Sequence, residues 1–553
     1  MTDREKDELA AQVLAVMRAR FDPPGPADAL EVLDRARRQI EATSLAPPPR
    51  PAVPPPSAPA RPALPRPAPD LRLFDRCLFV SGALLVAVYF FRLTRPALHV
   101  YFSPDDLMNL YRSWIYSAPR LLKANLLFFL NSDFMRPMGS VWYRVIFDFA
   151  GLRPFWFHAA GLAILLANVW LTYAVARRLA GSREVAALAA LLTAYQQRLG
   201  WVYFNTGYIY DVLCYFFLFA ALALYLRARA RNVYLRRWQW PAFFALYICA
   251  LNSKEMAVML PAFLGSYELL YHPPEAWRRA SVYRWLAREG RATILTGAVA
   301  LLFAVGRSFG PLSITTNAAY RPSFSWGQLM LTSGHFMGDA LGTADWRAWQ
   351  VLSLWAALAA FARISRSRVL GFAWLFLMLS PLPIAFIQPR GAAQYYVCMF
   401  GWIFYAAVLL VKLATLFSRN APLPEWWLTR ARGTVLFAVS IVILYAVNKP
   451  QVSAFLNDDE PLQNRNTVEQ LHAAAPSLRH GSRLLFLNDP VPPTWYNLIF
   501  IVQLSYADPS LRVFRVKEMK QRPTDQEIAA FDYVFDWRDG RFLALKKPGS
   551  AAN

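Results

Sequence analysis

Apolar residues in this chain come in blocks, and the blocks are long. They fall near 77–94, 154–176, 185–201, 207–226, 240–253, 256–271, 292–309, 346–362, 369–387, 395–414 and 433–448. A helix rises about 1.5 Å per residue, so roughly 20 such residues cross a hydrocarbon core of ~30 Å. Soluble domains instead spread apolar residues at periods of about 2 or 3.6. The blocks predict an all-α polytopic membrane protein with about eleven transmembrane helices, the third and fifth short.

Charge supports this reading. The 553 residues are 56% hydrophobic and carry a net charge of +23. In a soluble protein that excess would suggest nucleic acid, but here most arginines sit in short turns between apolar blocks. The positive-inside rule accounts for them, so no nucleic-acid partner is expected. With the N-terminus in the cytoplasm, the turns holding Arg177, Arg231, Arg284, Arg366 and Arg430 all fall on the cytoplasmic side. The opposite turns are nearly bare of basic residues, apart from the long first one. Cys77, Cys214, Cys249 and Cys398 all lie in apolar blocks. They are read as small hydrophobes, with no disulfide framework and no zinc site. The first block begins too late for a cleavable signal peptide, so it is expected to act as an uncleaved anchor.

Four regions follow from these patterns. Residues 1–45 form a charged, partly amphipathic cytoplasmic segment. Residues 46–70 are a Pro-rich linker of polyproline II type, and residues 1–70 are expected to be dispensable for chemistry. Residues 71–448 form the transmembrane domain. Residues 449–553 form a small extracytoplasmic α/β domain, with strands at Arg483–Asn488 and Leu511–Val516. A hairpin is expected from Phe531–Trp537 and Arg541–Leu545 around Asp539-Gly540.

Polar groups gather at the outer ends of the blocks. Ser103-Pro104-Asp105-Asp106 follows the first block, and Asp133 and Arg136 come thirty residues later. The plainer reading is a solvated loop in which Asp105 or Asp106 caps the helix that follows. Tyr208 and Asp211 open the fourth block, Lys254 and Glu255 separate the fifth and sixth, and Arg390, Gln394 and Tyr395 separate the ninth and tenth. Asp211, Lys254 and Glu255 lie at or near apolar blocks, where a free charge costs roughly 2.5–3.5 kcal/mol even by lenient scales. His335 and Asp339, four apart, read as a surface contact sooner than a metal site.

The sequence resembles the GT-C glycosyltransferases in the order of several motifs. An acidic pair follows the first helix. Arg136-Pro137, Tyr208-Ile209-Tyr210-Asp211-Val212-Leu213, Ser253-Lys254-Glu255, and Arg390 with Tyr395-Tyr396 come after it. The similarity spans residues 78–415 and is nearest to the membrane O-mannosyltransferases with C-terminal tetratricopeptide repeats. The family's Gly-Arg-x-Asp is Tyr208-Ile209-Tyr210-Asp211 here, its Glu-Arg before the late Tyr is Ala393-Gln394, and the repeats are replaced by the α/β tail. The resemblance implies a polyprenyl-phosphate-linked sugar as donor and transfer on the outer face to a glycan, lipid or protein acceptor. It also implies Asp105 or Asp106 as catalytic base. Arg136, Lys254 or Arg390 would steady the leaving phosphate, and single displacement would invert the anomeric carbon. Asp133 is a candidate to hold a divalent metal at the phosphate; the motifs leave metal use open.

Two other readings compete. A transporter or lipid flippase predicts matched halves with broken helices, and the sequence has no such halves. A catalytically inactive scaffold built around the outer tail would carry altered motifs like these. High Ala, Arg and Pro content is of bacterial type, which would put the protein in the inner membrane with its outer face periplasmic. Topology reporters fused at Pro450 and at Arg231 are expected to give opposite answers. Like answers at both points would overturn the orientation.

Overall fold

The computed structural model describes residues 72–130, 134, 136–309, 320–419, 424–493 and 496–547. The chain divides into two units, Met1–Pro69 and Asp70–Asn553. The charged segment 1–45 and the Pro-rich linker lie outside the described residues.

Every apolar block is helical. In chain order the helices of the membrane part are α1 (Arg72–Thr94), α2 (Pro104–Ile115), α3 (Ala118–Leu126), α4 (Pro137–Ala150), α5 (Pro154–Ala180), α6 (Arg183–Ala194), α7 (Ile209–Arg229) and α8 (Gln239–Ser253). They continue with α9 (Leu260–Tyr271), α10 (Arg279–Arg288), α11 (Arg291–Ser308), α12 (Trp326–Leu341), α13 (Ala348–Ile364), α14 (Arg368–Leu379), α15 (Met399–Phe417) and α16 (Glu425–Asn448). Among the described residues, seven helical stretches are long and apolar enough to cross a bilayer: Arg72–His99, Pro154–Ala180, Thr206–Arg229, Arg291–Ser308, Arg368–Ala385, Met399–Phe417 and Glu425–Leu456. The chain is thus a predominantly helical, multi-pass membrane protein.

Of the about eleven expected crossings, with the third and fifth short, seven helices have the length and composition of a full span. The remaining blocks form α6, α8, α9 and α13, of 12, 15, 12 and 17 residues. At about 1.5 Å per residue these α-helices measure roughly 18–26 Å, and a 3-10 turn at Glu255–Met259 extends α9 at its start. Block length counts apolar residues and misses where the backbone leaves the helix. The chain turns extended at Tyr195 after α6 and at Lys254 after α8. At Lys254 this break places polar side chains between apolar helices.

Local rules explain the helix ends. Pro104, Pro137 and Pro154 each begin a helix, where a missing N–H costs nothing. Gly181, at φ 68°, closes α5 in the left-handed conformation that a side chain would disfavour. The buried face of α5 runs through Leu162, Leu165, Val169, Thr172, Ala176 and Leu179, a 3–4 spacing. Helix α7 is the centre of the bundle, with 72% of its apolar window buried, whereas the corresponding figure for the last span is 6%. At the α7 end away from Tyr208, Arg229 is buried and grips Glu268 of α9 with Nε and Nη2 at 2.8 and 2.9 Å. Tyr225 donates to the same carboxylate at 2.6 Å, and Glu289 pairs with Arg229 from the end of α10. An arginine that reads in the sequence as a topology signal is here part of a buried lock.

The tail carries α17 (Asp459–Ala474), β1 (Arg483–Phe486), α18 (Asn497–Ser505), β2 (Arg512–Arg515), β3 (Tyr533–Arg538) and β4 (Arg541–Lys546). The sheet order is β2-β1-β3-β4, with β1 parallel to β2 and β3, and β3 antiparallel to β4. All four strands fall where the sequence places them. Asp539 and Gly540 both have positive φ, as a two-residue hairpin turn of this hand requires. The tail packs onto the segment that follows α1. Asn464 Nδ2 donates to the Phe102 carbonyl at 3.0 Å, and Phe500 lies 4.8 Å from the Tyr111 ring of α2. Phe455 stacks on Phe204 over Gly200, where any Cβ would collide with its ring.

Within the sheet, Arg515 donates from Nε and Nη2 to the two oxygens of Asp489 at 3.0 and 2.9 Å, and both side chains are about 1% exposed. Breaking a buried pair at one side costs up to about 3–5 kcal/mol, an upper bound here because Arg515 also meets Glu518. Asp489→Asn is expected to destabilise the tail by up to that amount. Faster amide exchange in β1 and β2 of the full-length protein would report it, and unchanged exchange would contradict it.

Candidate active site

The acidic pair separates into two environments. Ser103 Oγ accepts from the Asp106 N–H at 3.3 Å, and Asp106 Oδ2 accepts from the Ser103 N–H at 2.8 Å, a reciprocal cap on α2. Asp106 Oδ1 accepts from Thr206 Oγ1 at 2.8 Å. The Asp106 carboxyl is buried, and burial pushes it up to about 6 against the pull of its hydrogen bonds. Asp105, one residue earlier, is exposed and has no hydrogen bond or ion pair among the described residues. The segment before α7 closes over both. Asn205 Nδ2 donates to Ser103 Oγ at 3.2 Å, and a Cβ on Gly207 would stand 3.4 Å from Asp106 Oδ1 and 3.7 Å from the Asp105 Cβ. The plain capping role therefore belongs to Asp106 and leaves Asp105 available.

The second group forms where the chain breaks between α8 and α9. Lys254 has extended backbone and precedes the 3-10 turn that Glu255 begins, and their side chains find different partners. Lys254 Nζ meets Asp211 Oδ1 of α7 at 2.5 Å, with both side chains about 4% exposed. Glu255 accepts from Arg136 Nε at 3.3 Å and from Nη2 at 3.0 Å. Burial raises the Glu255 carboxyl, but Arg136 more than offsets this and holds it below the usual range. Arg136 immediately precedes α4 and lies over the Tyr210 ring at 5.6 Å. That approach needs Gly139, because a Cβ there would fall 2.2 Å from the Tyr210 ring. Tyr208 is half-buried and lies within electrostatic reach of Asp211, Asp105 and Asp106, so it bridges the two groups.

These four charges cancel in pairs. The excess comes from Arg307, near the end of α11, which the sequence reading missed. Its Nη1 donates to the Phe134 carbonyl at 3.1 Å and its guanidinium lies 5.3 Å over the Phe303 ring, while Nε and Nη2 are buried with no hydrogen-bond partner among the described residues. The side chain is only 8% exposed and lies within electrostatic reach of Glu255 and Arg136. Gly306 lets α11 close on this loop, since a Cβ there would strike the Phe129 carbonyl. The signal was present: a lone arginine in the apolar block 292–309 is costly unless it is used.

The late residues divide. Arg390 lies 4.7 Å over the Tyr320 ring, and Tyr320 is within electrostatic reach of Arg136, which ties Arg390 to the cluster. Tyr395 turns its ring onto Phe336 at 4.0 Å and is buried, its hydroxyl without a hydrogen-bond partner among the described residues. Gln394 is half-buried in the short turn before it. His335 and Asp339 make local contacts, Asp339 accepting from the Ala392 N–H at 3.0 Å and His335 facing Asp345 at 3.1 Å. Asp133 lies outside the described residues. Among the described residues no group of three or more His, Cys, Asp or Glu side chains is placed to hold a metal ion.

No protein-family model matches the chain, and no curated protein does. One solved structure that it resembles is the archaeal oligosaccharyltransferase AglB from Archaeoglobus fulgidus, in complex with an inhibitory peptide and a dolichol-phosphate. The identity is 12% and the TM-score 0.42, over 80% of this chain and 65% of the length of that one. The functional reading therefore rests on this chain's own residues.

The buried carboxyl of Asp106 has a thermodynamic consequence. Unfolded, it releases its proton near 3.8; folded, near 6. Between those values the folded state holds the extra proton, so this group's contribution to stability falls as pH rises through the window. Asparagine cannot titrate, and it can still accept from the Ser103 N–H. Asp106→Asn is expected to gain thermal stability relative to the parent as pH rises from about 4 to 7. A difference that does not change with pH would show that this carboxyl carries no such strain.

Proposed function

We propose that this chain is a membrane glycosyltransferase of GT-C type, moving a sugar from a polyprenyl-phosphate donor to an acceptor hydroxyl at the outer face. One observation carries the reading: an exposed carboxylate and an unsatisfied buried guanidinium belong to one continuous polar cluster. The connection runs from Asp105 through Tyr208 to Asp211 and Lys254, and from neighbouring Glu255 to Arg136 and Arg307.

The chemistry follows from the residue types. The acceptor oxygen attacks the anomeric carbon as Asp105 takes its proton. The bond from that carbon to the phosphate oxygen breaks, and the lipid phosphate leaves with the electron pair. Arg307 supplies uncommitted N–H donors to the growing negative charge, supported by Arg136 and Arg390. Lys254 and Asp211 neutralise each other and hold α7 to the α8–α9 break, which makes them positioning residues. Single displacement inverts the sugar. The N-terminus is cytoplasmic, and the tail lies outside beside α2, where it borders the approach to Asp105.

Purified protein incubated with labelled polyprenyl-phosphate sugars tests the reading. Transfer or hydrolysis supports it; counterflow without chemistry would favour a transporter, and neither would favour an inactive scaffold. Asp105→Asn is expected to lower turnover by about 10²–10⁴ with donor binding retained, as a lost general base does. Arg307→Gln should instead weaken donor binding. A lost charged hydrogen bond of about 1.5–3 kcal/mol corresponds to roughly ten- to a hundredfold. Near-normal turnover in Asp105→Asn would move the base elsewhere.

A further inference from the structure

The last span, α16, is fastened to the bundle at its two ends. At one end Arg430 grips Asp75 of α1 at 2.7 and 3.1 Å, and Arg432 meets Glu184 of α6 at 2.9 Å. At the other, Asn448 donates to the Tyr89 hydroxyl at 2.8 Å and accepts from the Gln197 N–H at 3.0 Å. Between these ends α16 packs only in part: Leu436, Phe437, Ile441 and Leu444 touch the core half-buried, and of its side chains only Asn448 is fully buried. The gap left against α1, α5 and α6 is a cavity of about 1000 Å³, walled by residues such as Leu78, Leu85, Leu166, Trp170 and Ile441. All four wall helices are apolar in their middles, so water is a poor filling. Gly82 opens the wall further, with nothing within 4 Å of where its Cβ would stand.

The charged rim lies at one end only, formed by Asp75, Arg183, Glu184 and Arg430. Asp75 and Glu184 at this end are gripped by Arg430 and Arg432, and Arg183 adds a third positive charge to these two negative ones. The Arg183 side chain is 64% exposed and reaches Asp75 only at 3.4 Å. An occupant should therefore be apolar along its length and anionic at this tip. A group the size of a water molecule or a methylene takes roughly 30 Å³, so the volume holds about thirty of them, the chain content of one two-chain lipid. The rim is at the start of α1, whereas Asp105 follows the end of α1, so the two lie at opposite ends of the spans. A donor with its phosphate at Asp105 cannot place that phosphate on Arg183, a step that rests on the function proposed above.

We infer that this cavity binds one anionic glycerophospholipid from the leaflet opposite the reaction. Its chains fill the space between the first and last spans, and its phosphate lies on Arg183. The lipid supplies the packing that α16 lacks.

Native mass spectrometry of the full chain, released from mild detergent after equilibration with equal phosphatidylglycerol and phosphatidylethanolamine, tests this. The expected result is one retained phospholipid, enriched in phosphatidylglycerol. Gly82→Phe, which fills open space, should lose it. Arg183→Gln, at an exposed position, should keep a lipid but lose the preference for the anionic headgroup. No retained lipid in the parent protein, retention untouched by Gly82→Phe, an unchanged preference in Arg183→Gln, or a polyprenyl phosphate in the phospholipid's place would each overturn the inference. The readout involves no sugar transfer, so its failure and the failure of the glycosyltransferase reading are distinguishable.

Discussion

A charge among apolar helices has to be matched, because a bilayer offers it neither water nor mobile counter-ions. The pair Lys254–Asp211 meets this requirement deep in the bundle, and Arg136–Glu255 meets it at the bundle's margin. Since Lys254 and Glu255 are sequence neighbours, the two pairs fix one backbone break against both α7 and the start of α4. That break ends α8 after 15 residues. The same need for pairing fastens the far end of α7, through Arg229, Glu268 and Glu289, so the central span is held electrostatically at both ends.

Against this background the unmatched groups are the informative ones. Arg307 is nearly as buried as Lys254 and yet keeps donors on two nitrogens unused. Asp105 is a carboxylate that escapes the helix cap because its neighbour occupies it. Pro104 and Ser103 impose that division: with Ser103 as the cap, the reciprocal position three residues on is Asp106, and Asp105 is left on the outside of the first turn. A one-residue difference in position thus separates a carboxylate held in place from one free to take a proton.

The tail and the last span show two ways of attaching to the bundle. The tail is attached by specific contacts: Asn464 to the backbone just before the cap, Phe500 to Tyr111, and Phe455 over Gly200. It buttresses the helix that carries Asp105. The last span is attached by polar pairs at its ends and leaves its middle partly open, an arrangement that works only where a lipid can complete the packing.

Much of this was legible in the chain itself. Apolar blocks and basic turns announce a multi-pass protein because a bilayer imposes one length and one charge rule on every crossing. The strands and the Asp539-Gly540 turn could be read because a hairpin's handedness demands residues that tolerate positive φ. Arg136, Asp211, Lys254 and Glu255 stood out as charges beside apolar runs. What tertiary structure alone decided was who meets whom. Arg307 looked like one more arginine in a hydrophobic block until folding withheld a partner from two of its nitrogens. Tyr395 matched a motif, and only folding set its ring against Phe336. Four apolar blocks became helices shorter than a full span, because composition counts apolar residues whereas length depends on where the backbone leaves the helix. Pairing is non-local: it depends on helices brought together from distant parts of the chain, and no spacing along the sequence records it.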